Sequence, residues 1–317
     1  MNYFAWHLTN VYLLSTYKKQ DVVLLGDGFF ARGFLHTIDH SKFKITQIYR
    51  DEFINPQMIT SSYTFHIRDL FSKKPYHIKR MDIQSLKFDE HTVLVNNLPY
   101  TYDHLVIGLG ANKSLYEWKR EIKELRSSAS SKINIVGMGP TGLELATSLA
   151  GVKNVKVKVK VEVHLYDSLP KEAVMSYLTP KGKNTVLQNL EKLNITTHYG
   201  VMYKGSEPAI LCVGTQLNKL TSKFSVNDKL ELNLNNRVHI GGDCVHTGFV
   251  KSAQVAYQQG VYVARKLNGE TTDPFVYSHK GMAVNIGEHQ TLIEGHCYLP
   301  DGLYPDIVVK LYSLFCV

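Results

Sequence analysis

Two stretches of the chain share one hydrophobic pattern. Val22 to Leu25 form an unbroken apolar run; Gly26-Asp27-Gly28 follows, and then Phe30, Phe34, Leu35 and Ile38 recur at helical spacing. An unbroken run suits a strand buried on both faces, and a recurrence every three or four residues suits one face of a helix. "KITQIY", 44–49, supplies the next strand, so residues 22–49 predict a βαβ unit. The pattern returns at "INIVGMGPTGLELATSLA", 133–150. There Ile133 to Val136 is the strand, Leu143, Ala146 and Leu149 line the helix face, and "VEVHLYD" gives the following strand. Further strands ending at glycine are expected in "YDHLVIGLGA" (102–111), "AILCVGT" (209–215) and "NRVHIGGDCV" (236–245). A helix is expected in "KSAQVAYQQGVYVARKLNG".

The glycines give these units a chemistry. Gly26 allows a tight turn, Gly28 lets backbone amides approach a pyrophosphate, and Ala31 permits close helix–strand packing. The helix start then directs its amides and dipole at the anion. Asp27 stands beside that expected phosphate. In the second unit Gly137, Gly139 and Gly142 complete the fingerprint, and Pro140 suits a first-turn position that needs no donor. Asp167 ends the next strand, 25 residues past Gly142, slightly beyond the usual spacing of about 20. It reads either as an acceptor for an adenosine ribose, favouring NADH over NADPH, or as a solvated strand end. Asp243, where a strand meets a helix, is placed to accept from a ribityl hydroxyl, and the helix after it to stabilise negative charge on reduced flavin. Two fingerprints in one chain point to a flavin and a nicotinamide cofactor. The fold class expected is therefore α/β, with two Rossmann-like dinucleotide-binding domains. An NADH domain (113–230) is inserted into an FAD domain (20–112 and 231–268), and a C-terminal region (269–317) follows.

Composition narrows the field. At 317 residues with 44% apolar side chains the chain can hold two cores. No apolar run approaches the roughly 18 residues of a membrane span. A net charge of +8 suits an anionic partner such as a phosphorylated cofactor or a lipid surface. Lys156, Lys158 and Lys160 fall on one strand face, read as solvated or as drawn to anionic headgroups. Nucleic acid is not expected, because no aromatic residues interleave with these lysines. The cysteines, Cys212, Cys244, Cys297 and Cys316, form no CxxC, so neither a disulfide scaffold nor a zinc site is indicated and a reducing compartment is. Residues 1–20 carry no arginine and no small-residue cleavage site, and read as an apolar element packed on the first domain rather than a targeting peptide.

The order of "VVLLGDGFFARGFLHTID", "YRDEFINPQM", "YDHLVIGLGA", "VGMGPTGLELA", "GGDC", "AQVAYQQG" and "PFVYSHKGMAVNIG" resembles the two-dinucleotide-binding-domain flavoproteins. Among them it looks most like the type II (alternative, non-proton-pumping) NADH:quinone oxidoreductases. The resemblance implies that Gly26, Gly28 and Ala31 hold the FAD pyrophosphate and that Arg50 lies at its adenosine end. Pro56 would lie near the flavin ring, and Gly110 is a further cofactor-binding candidate. Asp243 would bind the ribityl chain, and Ala253 and Gln254 would lie against the isoalloxazine. Gly137, Gly139, Gly142 and Asp167 would hold NADH, and Gly214, at the end of its strand, is a further cofactor-binding candidate. Glu144 would orient the cofactors or relay a proton, and Gln254, Tyr257 and Gln258 would border a quinone pocket. Glu144 and Gln254 are thus the catalytic candidates, and no metal is expected.

Partners implied are NADH, a quinone and a peripheral membrane surface, with a homodimer as an option. The compartment implied is the mitochondrial inner membrane, the cytoplasm being the alternative. Three departures stand out: Asp27 replaces a small residue, Asn55-Pro56-Gln57 replaces Thr-Pro-Leu, and Tyr257 takes a place often held by histidine. Between "THYG" and "AILCVG" there is also no room for the family's small antiparallel layer. A degenerate flavin- and NADH-binding module is the competing reading. A disulfide reductase fits less well, since no cysteine pair is available.

Overall fold

The computed structural model describes residues 18–50, 77–111, 132–151, 162–214, 216–233, 235–287 and 290–294. Pro56, Lys156, Lys158, Lys160, Cys297, Cys316 and the N-terminal segment before residue 18 lie outside them. In chain order the elements are β1 (Gln20–Leu25), α1 (Phe29–Thr37), β2 (Phe43–Tyr49), β3 (His77–Arg80), β4 (Leu86–Phe88), β5 (Thr92–Val95), β6 (Leu98–Thr101) and β7 (His104–Ile107). Next come β8 (Lys132–Val136), α2 (Pro140–Gly151), β9 (Glu162–Tyr166), α3 (Pro180–Lys192), β10 (Thr196–His198) and β11 (Ala209–Leu211). The last are β12 (Glu231–Leu232), β13 (Asn235–Ile240), α4 (Ala253–Asn268), β14 (Met282–Gly287) and β15 (Gln290–Glu294).

Two compact units result. The first is built on a six-stranded sheet in the order β12-β13-β7-β1-β2-β3, parallel except for β12. Because β1 is buried on both faces, its apolar residues divide between two cores. Val22 and Leu24 join Phe30, Phe34 and Val263, whereas Val23 and Leu25 join Ile48, Leu105 and Val238. Helices α1 and α4 cover the first face. They cross where Gly33 meets the carbonyl of Tyr257 and Gly260 meets that of Phe30, so close that a Cβ at either position would stand 2.2 or 1.9 Å from the facing oxygen. Helix α4 is well bounded. The Ser252 side chain accepts from the N–H of Val255, and Gly269 closes the other end at φ +84°. A three-stranded antiparallel sheet, β4-β5-β6, contributes Val93 and Val95 to the second face.

The second unit carries a parallel sheet in the order β10-β9-β8-β11. Ile133, Ile135, Val163 and Leu165 pack with residues of α2 and α3. Thr179 caps α3 by accepting from Gly182 N–H at 3.1 Å, with Pro180 next in the chain. Facing away from this core, His164, Tyr166, His198 and Tyr203 form an aromatic array, with Tyr166 and His198 stacked at 4.2 Å between centroids. Lys132 and Glu207 pair beside them at 3.1 Å. This array accompanies the short connection after β10, where the sequence leaves no room for an extra antiparallel layer.

Residues 217–230 depart from the expected boundary. They belong to the first unit, because Leu220, Phe224, Val226 and Leu230 pack into its cores. The region after 268 also divides. Phe275 joins the first unit's core, whereas the β14–β15 hairpin packs Val284 and Ile286 into the second. Glu294 fastens that hairpin by accepting the N–H of Thr179 at 2.8 Å. No helix among the described residues is long and apolar enough to cross a membrane.

Candidate dinucleotide-binding sites

In an open parallel sheet, ligands bind beyond the carboxyl ends of the strands, where the strand order reverses. In the first unit that point is β1, flanked by β2 on one side and β7 on the other. In the second it is β8, flanked by β9 and β11. Each of these strands leads directly into one of the glycine bends.

At the first bend Gly26 adopts φ +113°, and a Cβ there would lie 2.2 Å from the carbonyl oxygen of Gly108. Only glycine fits. Gly28 is the opposite case: it precedes α1, and no atom lies within 4 Å of the place a Cβ would occupy. The space is open at a helix start, as an anion cradle requires. Ala31 is fully buried under it. Asp27 is buried as well, its carboxylate 2.6 Å from the Arg32 guanidinium and accepting from the Gln47 side chain at 2.9 Å. Gln47 also donates to the Gly26 carbonyl. The negative charge that the sequence places beside a phosphate is therefore balanced within the turn.

The Phe30 ring, which the sequence offers only as part of a helix face, fills the gap between strand ends. Added Cβ atoms at Gly108 and Gly241 would meet it at 2.4 and 2.2 Å. Around this ring gather the start of α1, the turn after β7 and the turn after β13. Gly110, in the second of these, has φ +69° and open space around it. In the third, Asp243 keeps a carboxylate with no hydrogen-bond donor among the described residues. Burial raises its pKa, and Lys251 opposes that rise. The Cys244 thiol beside it is buried and pushed up to about 11, which makes it inert at neutral pH. Arg50 is about half exposed and pairs with Asp82 at 3.7 Å.

Helix α4 sorts the remaining candidates. Ala253 opens the helix, and Gln254 is buried and accepts from the Tyr277 hydroxyl. Tyr257 is buried too, with its hydroxyl 3.1 Å from His36 Nδ1. Gln258 is half-buried. Tyr257 thus packs between α1 and α4, held by a histidine that no local pattern marks.

At the second bend, Gly137 (φ +108°) lies against the carbonyl of Cys212, and Gly142 lies against that of Gly137. Gly139 faces open space, as Gly28 does. Gly214, after β11, has φ +63° and open surroundings. The Asp167 carboxylate accepts from Met138 N–H at 2.8 Å and from Leu169 N–H at 2.9 Å. Each oxygen keeps a second acceptor site for a ligand hydroxyl. Sequence reading missed Tyr177, whose hydroxyl donates to the Met138 carbonyl at 3.1 Å. Burial, and then the carboxylates of Glu144 and Asp167, raise the tyrosine's pKa. Glu144 is half-buried on the first turns of α2. No cluster of three or more His, Cys, Asp or Glu side chains able to hold a metal occurs among the described residues.

Comparison with known proteins agrees with this architecture. The chain is 25% identical to the external NADH-ubiquinone oxidoreductase 2 of Saccharomyces cerevisiae mitochondria, over 79% of its own length and 63% of that protein's. It is 26% identical to the internal alternative NAD(P)H-ubiquinone oxidoreductase A1 of Solanum tuberosum mitochondria, over 50% and 42%. It therefore spans less than two thirds of either relative. NDH2 from Plasmodium falciparum, solved in complex with NADH, superposes with a TM-score of 0.71 at 16% identity, covering 94% of this chain and 95% of that one. The family model for pyridine nucleotide-disulphide oxidoreductases matches residues 20–210, well over half of the chain, and the protein belongs to that family.

Proposed function

We propose that the chain is an FAD-dependent oxidoreductase that takes a hydride from NADH and delivers electrons to a quinone. The observation that carries this reading is the repeated placement of a glycine bend at a strand-order reversal, with an open position, Gly28 or Gly139, at each helix start. Two such bends call for two dinucleotides. The names of the yeast and potato relatives support NADH as donor and ubiquinone as the acceptor class.

In this reading the amides at the start of α1 receive the FAD pyrophosphate, and the Asp27–Arg32 pair keeps the floor of that turn neutral. The free acceptor capacity of Asp243 is directed to the ribityl hydroxyls. Gly137, Gly139 and Gly142 cradle the NADH pyrophosphate, and Gly214 borders it. Asp167 offers its remaining acceptor sites to the adenosine ribose. Its negative charge, already engaged with two backbone amides, disfavours the 2′-phosphate of NADPH. The bound flavin supplies the two-electron chemistry. Gln254 remains the candidate for the isoalloxazine edge and Gln258 for the quinone, while Tyr257 supports the helix that carries them. A peripheral membrane surface and transport without proton pumping belong to the same proposal.

The second reading, an NADH-responsive binding module, draws on the reduced second unit, in which an aromatic array accompanies the short connection after β10. Purified protein separates the two. A yellow flavin band that NADH bleaches and a soluble quinone restores is the result expected. A colourless protein that takes up no added FAD refutes the enzyme.

A further inference from the structure

The turn between β13 and α4 is tied at its first residues, 241–244, by bonds from several elements. The N–H of Gly242 donates to Gln259 Oε1 at 2.7 Å, and Gln259 Nε2 donates to Thr247 Oγ1 at 3.0 Å. The Thr221 hydroxyl donates to the Cys244 carbonyl at 2.6 Å, and the Lys251 ammonium donates to the Asp243 carbonyl. The Cys244 thiol reaches the Gly241 carbonyl. Gly242 itself sits at φ +72°, a conformation open to glycine but not to most other residues. Amid all this the Asp243 carboxylate accepts nothing from the described residues. A carboxylate carried by a turn that is bonded on either side of it, and left with open acceptor sites, is preorganised for a hydroxyl ligand.

We propose that Gln259 is a positioning residue for the flavin's polyhydroxy chain, acting through Asp243. The proposal rests on the flavin reading above. Gln259 is 0% exposed and reaches out of α4 to both ends of the 242–247 loop. Its amide is suited to the task because it accepts at one end and donates at the other, which no apolar side chain can do. Glutamate keeps the acceptor for Gly242, and the Thr247 hydroxyl can turn to donate to its second oxygen. Methionine fills the volume and makes neither bond.

Titration of FAD into flavin-free protein tests this. Gln259→Met breaks both bonds and weakens FAD binding about tenfold. Gln259→Glu stays within about threefold of the parent at neutral pH. In the Asp243→Asn background, adding Gln259→Met weakens binding by no more than about twofold further, because the glutamine acts through the carboxylate. NADH affinity is unchanged in all of them. Strict additivity of the two substitutions overturns the proposal, and so does FAD binding by Gln259→Met equal to the parent's. Should Gln259→Met fold poorly, Thr247→Val removes only the outer bond. An FAD loss of about threefold that vanishes in the Asp243→Asn background is then expected, and additivity overturns the proposal. A parent protein that takes up no FAD sinks the function reading and this proposal together.

Discussion

His239 lies near the end of β13, 1% exposed, and neither ring nitrogen has a hydrogen-bond partner among the described residues. Burial, with smaller repulsion from His104 and Lys266, pulls its pKa from 6.5 down to about 3. The unfolded histidine binds a proton below about pH 6.5 and the buried one resists, so this group removes stability as the pH falls through that range. Between about pH 7.5 and about pH 5 the cost is about 2 kcal/mol. In urea unfolding, His239→Leu is expected to lose about that much less than the parent over the same interval. Equal losses in the two proteins refute the assignment. Glu144 poses a question of catalysis rather than stability. Glu144→Gln is expected to slow turnover more than it weakens NADH binding, and an unchanged kcat removes Glu144 from the mechanism.

At the scale of elements, the glycines separate packing from binding. Gly260→Ala gains helix propensity worth about 1 kcal/mol. Its new methyl, however, would stand 1.9 Å from the Phe30 carbonyl. The helices must separate, and a net loss of about 1–3 kcal/mol is expected by thermal or urea unfolding. Gly28→Ala meets no protein atom. Its stability is expected to stay within about 0.5 kcal/mol of the parent. Because the methyl would project into the anion cradle, FAD binding should weaken by about tenfold. The reverse outcome, an unstable Gly28→Ala that binds FAD normally, refutes the placement of the cradle.

On the scale of the whole molecule, two compact units with separate cores carry the two bends. Val284, in the C-terminal hairpin, is completely buried in the core of the second unit. Val284→Asp places an unpaired carboxylate there and is expected to destabilise that unit by about 3 kcal/mol or more. Loss of NADH binding with retention of FAD uptake is the outcome expected. Loss of both at once refutes the independence of the cores.

The sequence by itself determined the features that depend on local backbone demands. Gly26 and Gly137 were legible because a chain leaving a buried strand into a tight bend needs a residue that tolerates positive φ. The apolar runs of β1 and β8 were legible because a strand buried on both faces has no polar side to show. Tertiary structure alone decided whatever joins residues distant in the chain. Arg32 meets Asp27 only five residues away, yet only the β1–β2 pairing brings Gln47 to both Asp27 and the Gly26 carbonyl. His36 finds Tyr257 only because two glycines let their helices nearly touch. Residues 217–230 join the first unit, and the hairpin joins the second, because each follows the core its apolar side chains can fill. Periodicity reports that a side chain will be buried; which neighbour it meets depends on sheet order and helix approach, and neither is written into a local stretch of chain.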